Sequence, residues 1–123
     1  MPWLRATTLA LITATALAAG ACTNTVVVRH GRVLELAVGE YRLAPQSVRI
    51  AAGLLTIVVH NEGRLAHNLA VSEDGQLVGE TSPILPGRVA YLPIDLSPGT
   101  YVIASTLFSD QVLGAYGTLT VTS

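Results

Sequence analysis

The 123-residue chain has no lysine, one cysteine, one methionine, one tryptophan and one phenylalanine. Each shortage removes a class of function. All seven basic residues are Arg, placed singly along the chain with no basic run. This argues against nucleic-acid binding, which needs a clustered positive face to displace phosphate counterions. Cys22 is the only cysteine and Met1 the only methionine, so the chain beyond residue 22 offers no sulfur ligand. The one long apolar run, Leu9 to Leu17, is too short to cross a bilayer as a permanent helix. What remains is enough for one small domain, because half of the residues are apolar.

The N-terminus has the layout of a secretory signal: Arg5, the apolar run, then the small residues Ala18-Ala19-Gly20-Ala21. Cys22 follows directly. Leu17-Ala18-Ala19-Gly20-Ala21-Cys22 resembles a bacterial lipoprotein box, although the favoured form has Leu three residues before the cysteine, where this chain has Ala19. The resemblance implies cleavage before Cys22, diacylglycerol on its thiol and usually a further acyl chain on the new N-terminus. More than one chain is what stable anchoring requires. The alternative is ordinary secretion with a free Cys22. Loss of Arg5 with the signal leaves six Arg against eight Asp and Glu, a formal charge of −2. The division expected is a signal peptide over 1–21, lipidated Cys22 and a tether over 22–31, and one domain over 32–123. Val26-Val28 fits either tether or a first edge strand.

The domain reads as all-β, with short apolar alternations separated by Gly, Pro and Asn. Strands are predicted over Val33–Val38, Tyr41–Leu43, Val48–Ile50, Leu54–His60, Leu65–Val71, Arg88–Ile94, Tyr101–Ser105 and Gly117–Val121. Leu54–His60 is the most β-branched and is expected at the centre of a sheet. Glu73-Asp74-Gly75 is a predicted turn, and the stretch through Pro83, Pro86 and Gly87 a loop. Ser97-Pro98-Gly99-Thr100-Tyr101 has the form of a tyrosine corner, in which the phenol bonds back to the backbone at a Greek-key crossover.

Several pieces share one order: Tyr41-x-x-x-Pro45, Val48-x-Ile50-x-x-Gly53, Asn61-x-Gly63, His67-Asn68-Leu69, Pro98-Gly99-x-Tyr101 and Gly117-x-Leu119-x-Val121. In this order they resemble plastocyanin, azurin and related cupredoxins over roughly Leu34 to Val121. The resemblance implies a cupredoxin-like Greek-key β-sandwich after the signal peptide. It also implies a copper site of a first His, a Cys, a second His and usually a Met. His67 matches the first ligand. Ser105 falls at the Cys position, Phe108 at the second His, and Leu113 to Ala115 at the Met. A hydroxyl, a phenyl ring and aliphatic groups cannot replace thiolate, imidazole and thioether at type 1 copper. No Cys, Met or His follows His67.

His67 is therefore expected as a vestigial metal residue, half-buried under Phe108. Copper is at most a weakly bound alternative cofactor, held with an oxygen ligand such as Asp110. The proximity of Ser105, His67 and Asp110 raises a nucleophile arrangement, but spacing supplies no oxyanion donor, and no catalytic residue is assigned. Leu107, Phe108, Val112, Leu113 and Tyr116 are expected to fill the vacated site, with some of them reaching the surface. In cupredoxins this end is where redox partners dock. The expectation is a non-enzymatic, copper-free lipoprotein in the cell envelope, held to a membrane through Cys22. Its binding or accessory role would use a protein partner at the former copper end. The alternative is a periplasmic or surface copper-binding cupredoxin with an electron-transfer-related role.

Overall fold

The computed structural model describes residues 25–28 and 31–123. The expected signal, Cys22 and His30 lie outside these residues. The strands are β1 (Thr25–Val28), β2 (Val33–Gly39), β3 (Arg42–Ala44), β4 (Ser47–Ala51), β5 (Gly53–Asn61), β6 (Ala70–Glu73), β7 (Gln76–Glu80), β8 (Val89–Leu96), β9 (Gly99–Ala104) and β10 (Tyr116–Thr122). A four-residue helix, α1 (Asp110–Leu113), precedes β10. One sheet has the order β1-β4-β10-β9-β6-β7 and the other β3-β2-β5-β8.

Period-2 alternation builds the core between the sheets. Leu34, Leu36 and Val38 of β2, Val48 and Ile50 of β4, and Leu55, Ile57 and Val59 of β5 all point inward and are buried. Full burial of each such side chain contributes about 1.5–3 kcal/mol of transfer free energy. The most β-branched strand is interior, as expected: β5 pairs parallel with β2 and antiparallel with β8. Pro93 lies in β8, an edge strand, where a missing N–H costs no ladder bond on the open side. The Tyr101 hydroxyl donates to Ser97 O at 2.7 Å, which completes the tyrosine corner. Burial, with the Glu73 charge behind it, pushes the phenol pKa up and keeps it a donor.

One expectation changes, one open alternative is decided and one strand is added. Of the two readings left open for Val26-Val28, residues 25–28 take the edge strand, with Thr25 beside Ser47 in parallel pairing to β4. The strand expected over Leu65–Val71 is regular only from Ala70; before it, His67 and Ile84 make an isolated two-bond bridge. Gln76–Glu80 pairs with β6 as β7, an exposed edge strand whose Gln-Leu-Val-Gly-Glu sequence has no apolar alternation to reveal it.

The strand directions gather one set of loops. β2, β5, β7 and β9 finish, and β1, β4, β6, β8 and β10 start, at the same end of the sandwich. The connections at residues 40–41, 62–69, 81–88 and 105–115 therefore meet there.

Candidate functional site

His67 lies within this loop cluster and is fully buried. Its Nδ1 is 2.5 Å from Asp110 Oδ2 and its Nε2 is 3.2 Å from Glu40 Oε1. The side chains of Asp110 and Glu40 are 4% and 32% exposed. Ser105 Oγ, also buried, donates to the same Asp110 Oδ2 at 2.6 Å. One carboxylate oxygen thus joins the two side chains that the resemblance assigns to the first His and the Cys.

The surrounding backbone explains why these groups meet. β9 ends at Ala104, and Ser105 N donates to Ala115 O, closing the 105–115 loop at its base. Asp110 N bonds Leu107 O, and Ala115 N bonds Asp110 O, so the loop folds Asp110 inward at the start of α1. Asn68 locks the flanking strand ends. Its Oδ1 accepts from Thr106 N at 2.7 Å, its Nδ2 donates to Thr106 Oγ1 at 2.9 Å, and its N–H reaches Ser105 Oγ at 3.3 Å.

Glu40 arrives from the β2–β3 turn. Its Oε1 accepts from Leu65 N at 2.8 Å and Arg64 N at 2.6 Å. These bonds, that from Leu65 foremost, hold its pKa near 2 against an ordinary 4.5, with partial burial pulling the other way. Gly63 makes the approach possible, because a Cβ there would lie 2.7 Å from His67 Nε2 and 2.6 Å from Glu40 Oε1. Asn61 sets that turn, accepting from Gly63 N and donating to Leu65 O and Ile84 O.

His67 and Ser105 both bond Asp110 Oδ2 and Ala115 is buried next to Ser105, while Phe108 and Leu113 do not join them. Phe108 is 73% exposed and does not cover His67, which is buried by carboxylates and backbone and is not half-buried. Leu113 and Val112 also face outward, and Tyr116 is half-exposed. The vacated interior is filled by Asp110, Ser105 and Ala115 in place of the expected apolar set. The order of contacts is Ser105–Asp110–His67, so the hydroxyl meets a carboxylate and not an imidazole base. An activated serine needs the imidazole in the middle, between hydroxyl and carboxylate. His60 lies apart, with Nε2 3.7 Å from Glu35 Oε1.

The donor set does not suit the type 1 copper that the fold implies. Both His67 nitrogens are engaged, Ser105 offers a hydroxyl already bonded to Asp110, and no thiolate is present in residues 25–123. Among the described residues, no group of three or more His, Cys, Asp or Glu side chains is placed to hold a metal ion. The two carboxylates face different ring nitrogens and do not converge on one point.

Sequence reading missed Glu40, took Asn61 only as part of the Asn61-x-Gly63 motif, and gave Asp110 the parts of an optional oxygen ligand and of the third member of a Ser105–His67–Asp110 arrangement. Asn61-x-Gly63 carried a signal, as an Asn side chain bonding two residues ahead is a known turn former. Glu40 carried none, since Gly-Glu-Tyr reads as a solvated turn.

No family model and no curated protein matches the chain. Solved structures do, and they have the cupredoxin fold. Dithionite-reduced auracyanin from Roseiflexus castenholzii has a TM-score of 0.69 at 17% identity, over 77% of this chain and 100% of that one. Auracyanin A from Chloroflexus aurantiacus, described as a blue copper protein, has a TM-score of 0.64 at 16% identity, over 77% and 98%. Reduced rusticyanin has 0.61 at 15%, over 79% and 83%. The two-sheet sandwich of this chain is a cupredoxin sandwich, and identities this low speak for the fold alone.

Proposed function

We propose that the chain is a membrane-anchored bacterial lipoprotein whose cupredoxin-like domain has no type 1 copper site and serves as a non-enzymatic binding or accessory module of the cell envelope. Contact is made through the loops at the His67 end. One observation carries the copper-free reading: Asp110 Oδ2 bonds both His67 Nδ1 and Ser105 Oγ, so a carboxylate joins the positions where the family shares a metal. The lipoprotein reading is carried by the run ending at Cys22. No helix among the described residues is long and apolar enough to cross a membrane.

The competing reading is weak Cu(II) binding through His67, favoured by the carboxylates on either side of its ring. Mixing the mature protein with one equivalent of Cu(II) separates the two. The expected result is no intense blue band and no stoichiometric binding that His67→Ala abolishes. A blue one-equivalent complex lost in that variant would overturn the copper-free reading.

A further inference from the structure

The point where the chain enters the sandwich decides which end can face a membrane. β1, β4 and β10 run parallel, with Thr25 level with Ser47 and Thr118, and β10 begins directly after the 105–115 loop. The chain therefore enters β1 from the His67 end. Thr118 is the third residue of β10, which puts Thr25 about 7 Å below that strand's start at ~3.3 Å per residue. Only Thr23 and Asn24 separate Cys22 from Thr25, a reach of at most ~11 Å for fully extended chain. Because residues 25–28 are strand and not tether, an acylated Cys22 cannot hold the domain away from the bilayer.

The surface of this end suits the contact. Tyr41, Leu65, Leu85, Phe108, Val112 and Leu113 are all more than half exposed and all belong to its loops. Phe108 and Ser109 have φ of 51° and 64°. A left-handed backbone is uncommon for a bulky residue, and here it carries the ring outward and away from His67. Arg42, Arg64 and Arg88 stand exposed among these side chains, with Glu62, which pairs with Arg42, and Glu80 as the exposed acids. Glu73, Asp74 and Asp95 lie toward the opposite end. Counting the partly exposed Glu40, three Arg stand against three Glu here, so the charges balance and it is the exposed apolar side chains that suit a bilayer interface.

We infer that the bilayer carrying the anchor covers the His67 end, with Phe108, Val112 and Leu113 inserted among the headgroups and the Ser97-Pro98-Gly99 turn pointing away. This rests on the lipidation of Cys22 proposed above and names the membrane as the partner of that same surface.

The mature chain has no tryptophan once residues 1–21 are removed, so a single introduced tryptophan is a clean reporter. Lipidated Val112→Trp, Phe108→Trp and Leu54→Trp proteins are each reconstituted into phosphatidylethanolamine/phosphatidylglycerol vesicles carrying brominated acyl chains. Leu54 is 67% exposed at the far end and serves as control. Vesicle flotation and the mass of Cys22 report anchoring separately. The expected result is a floating protein whose Val112→Trp and Phe108→Trp emission shifts to the blue and is mostly quenched, while Leu54→Trp is unaffected. A protein that floats without quenching at 108 and 112, or with equal quenching at 54, overturns the orientation and leaves the anchor standing. An unacylated protein that does not float overturns both.

Discussion

A histidine, a carboxylate and a hydroxyl that bury one another are costly to take apart. Removal of the Asp110 carboxylate leaves His67 Nδ1 and Ser105 Oγ facing a cavity without a common acceptor. Asp110→Ala is expected to lower unfolding free energy by about 3 kcal/mol in urea denaturation, because two buried polar groups lose their acceptor at roughly 1–3 kcal/mol each. Phe108→Ala is expected to change it by less than about 0.5 kcal/mol, as for other exposed positions. The reverse ranking would mean that the ring plugs the site. His67 was legible in the sequence because its neighbours fit a pattern. Asp110 was placed near it but in other roles, and Glu40 was not seen, because an acid in a turn reads as solvated charge until the fold shows what it touches. Phe108 was misjudged for a related reason: a lone phenyl ring suggests a core, whereas the left-handed backbone at 108 and 109 turns it to solvent.

At the scale of elements, the β2–β3 turn and the segment after β5 are joined by Glu40, whose carboxylate is held by two backbone N–H groups and faces His67. Its folded pKa, about 2, lies below the ordinary 4.5. A depressed carboxylate contributes stability that is fully present above its unfolded pKa and is lost as pH falls toward the folded one. Urea midpoints are therefore expected to fall between about pH 4.5 and 2, and Glu40→Gln to flatten that part of the profile while lowering the midpoint at neutral pH. An unchanged profile would detach Glu40 from the loop's stability. Strand positions were legible wherever apolar residues alternate, as in β2, β4 and β5. They were not at β7, an exposed edge, or over 65–69, where apolar Leu65 and Leu69 suggest a strand but side-chain bonds from Asn61 and Glu40 hold the backbone instead.

At the scale of the molecule, the sandwich supports two ends of different character. The Ser97 end closes with the tyrosine corner and carries acidic turns. The His67 end holds a polar cluster inside and apolar side chains outside, the opposite of a plugged metal cavity. Turn residues and strand order announced this architecture. The inversion at one end depends on which way a loop of about ten residues folds, and composition does not report that. A ligand that binds the folded state raises its melting temperature by mass action. The most direct test of a carboxylate standing between His67 and Ser105 is thermal unfolding of the mature protein with and without equimolar Cu(II), beside Asp110→Ala. The melting temperature is expected not to rise with copper and to fall on loss of the carboxylate. A rise with copper that disappears in His67→Ala, together with no loss in Asp110→Ala, would contradict that arrangement.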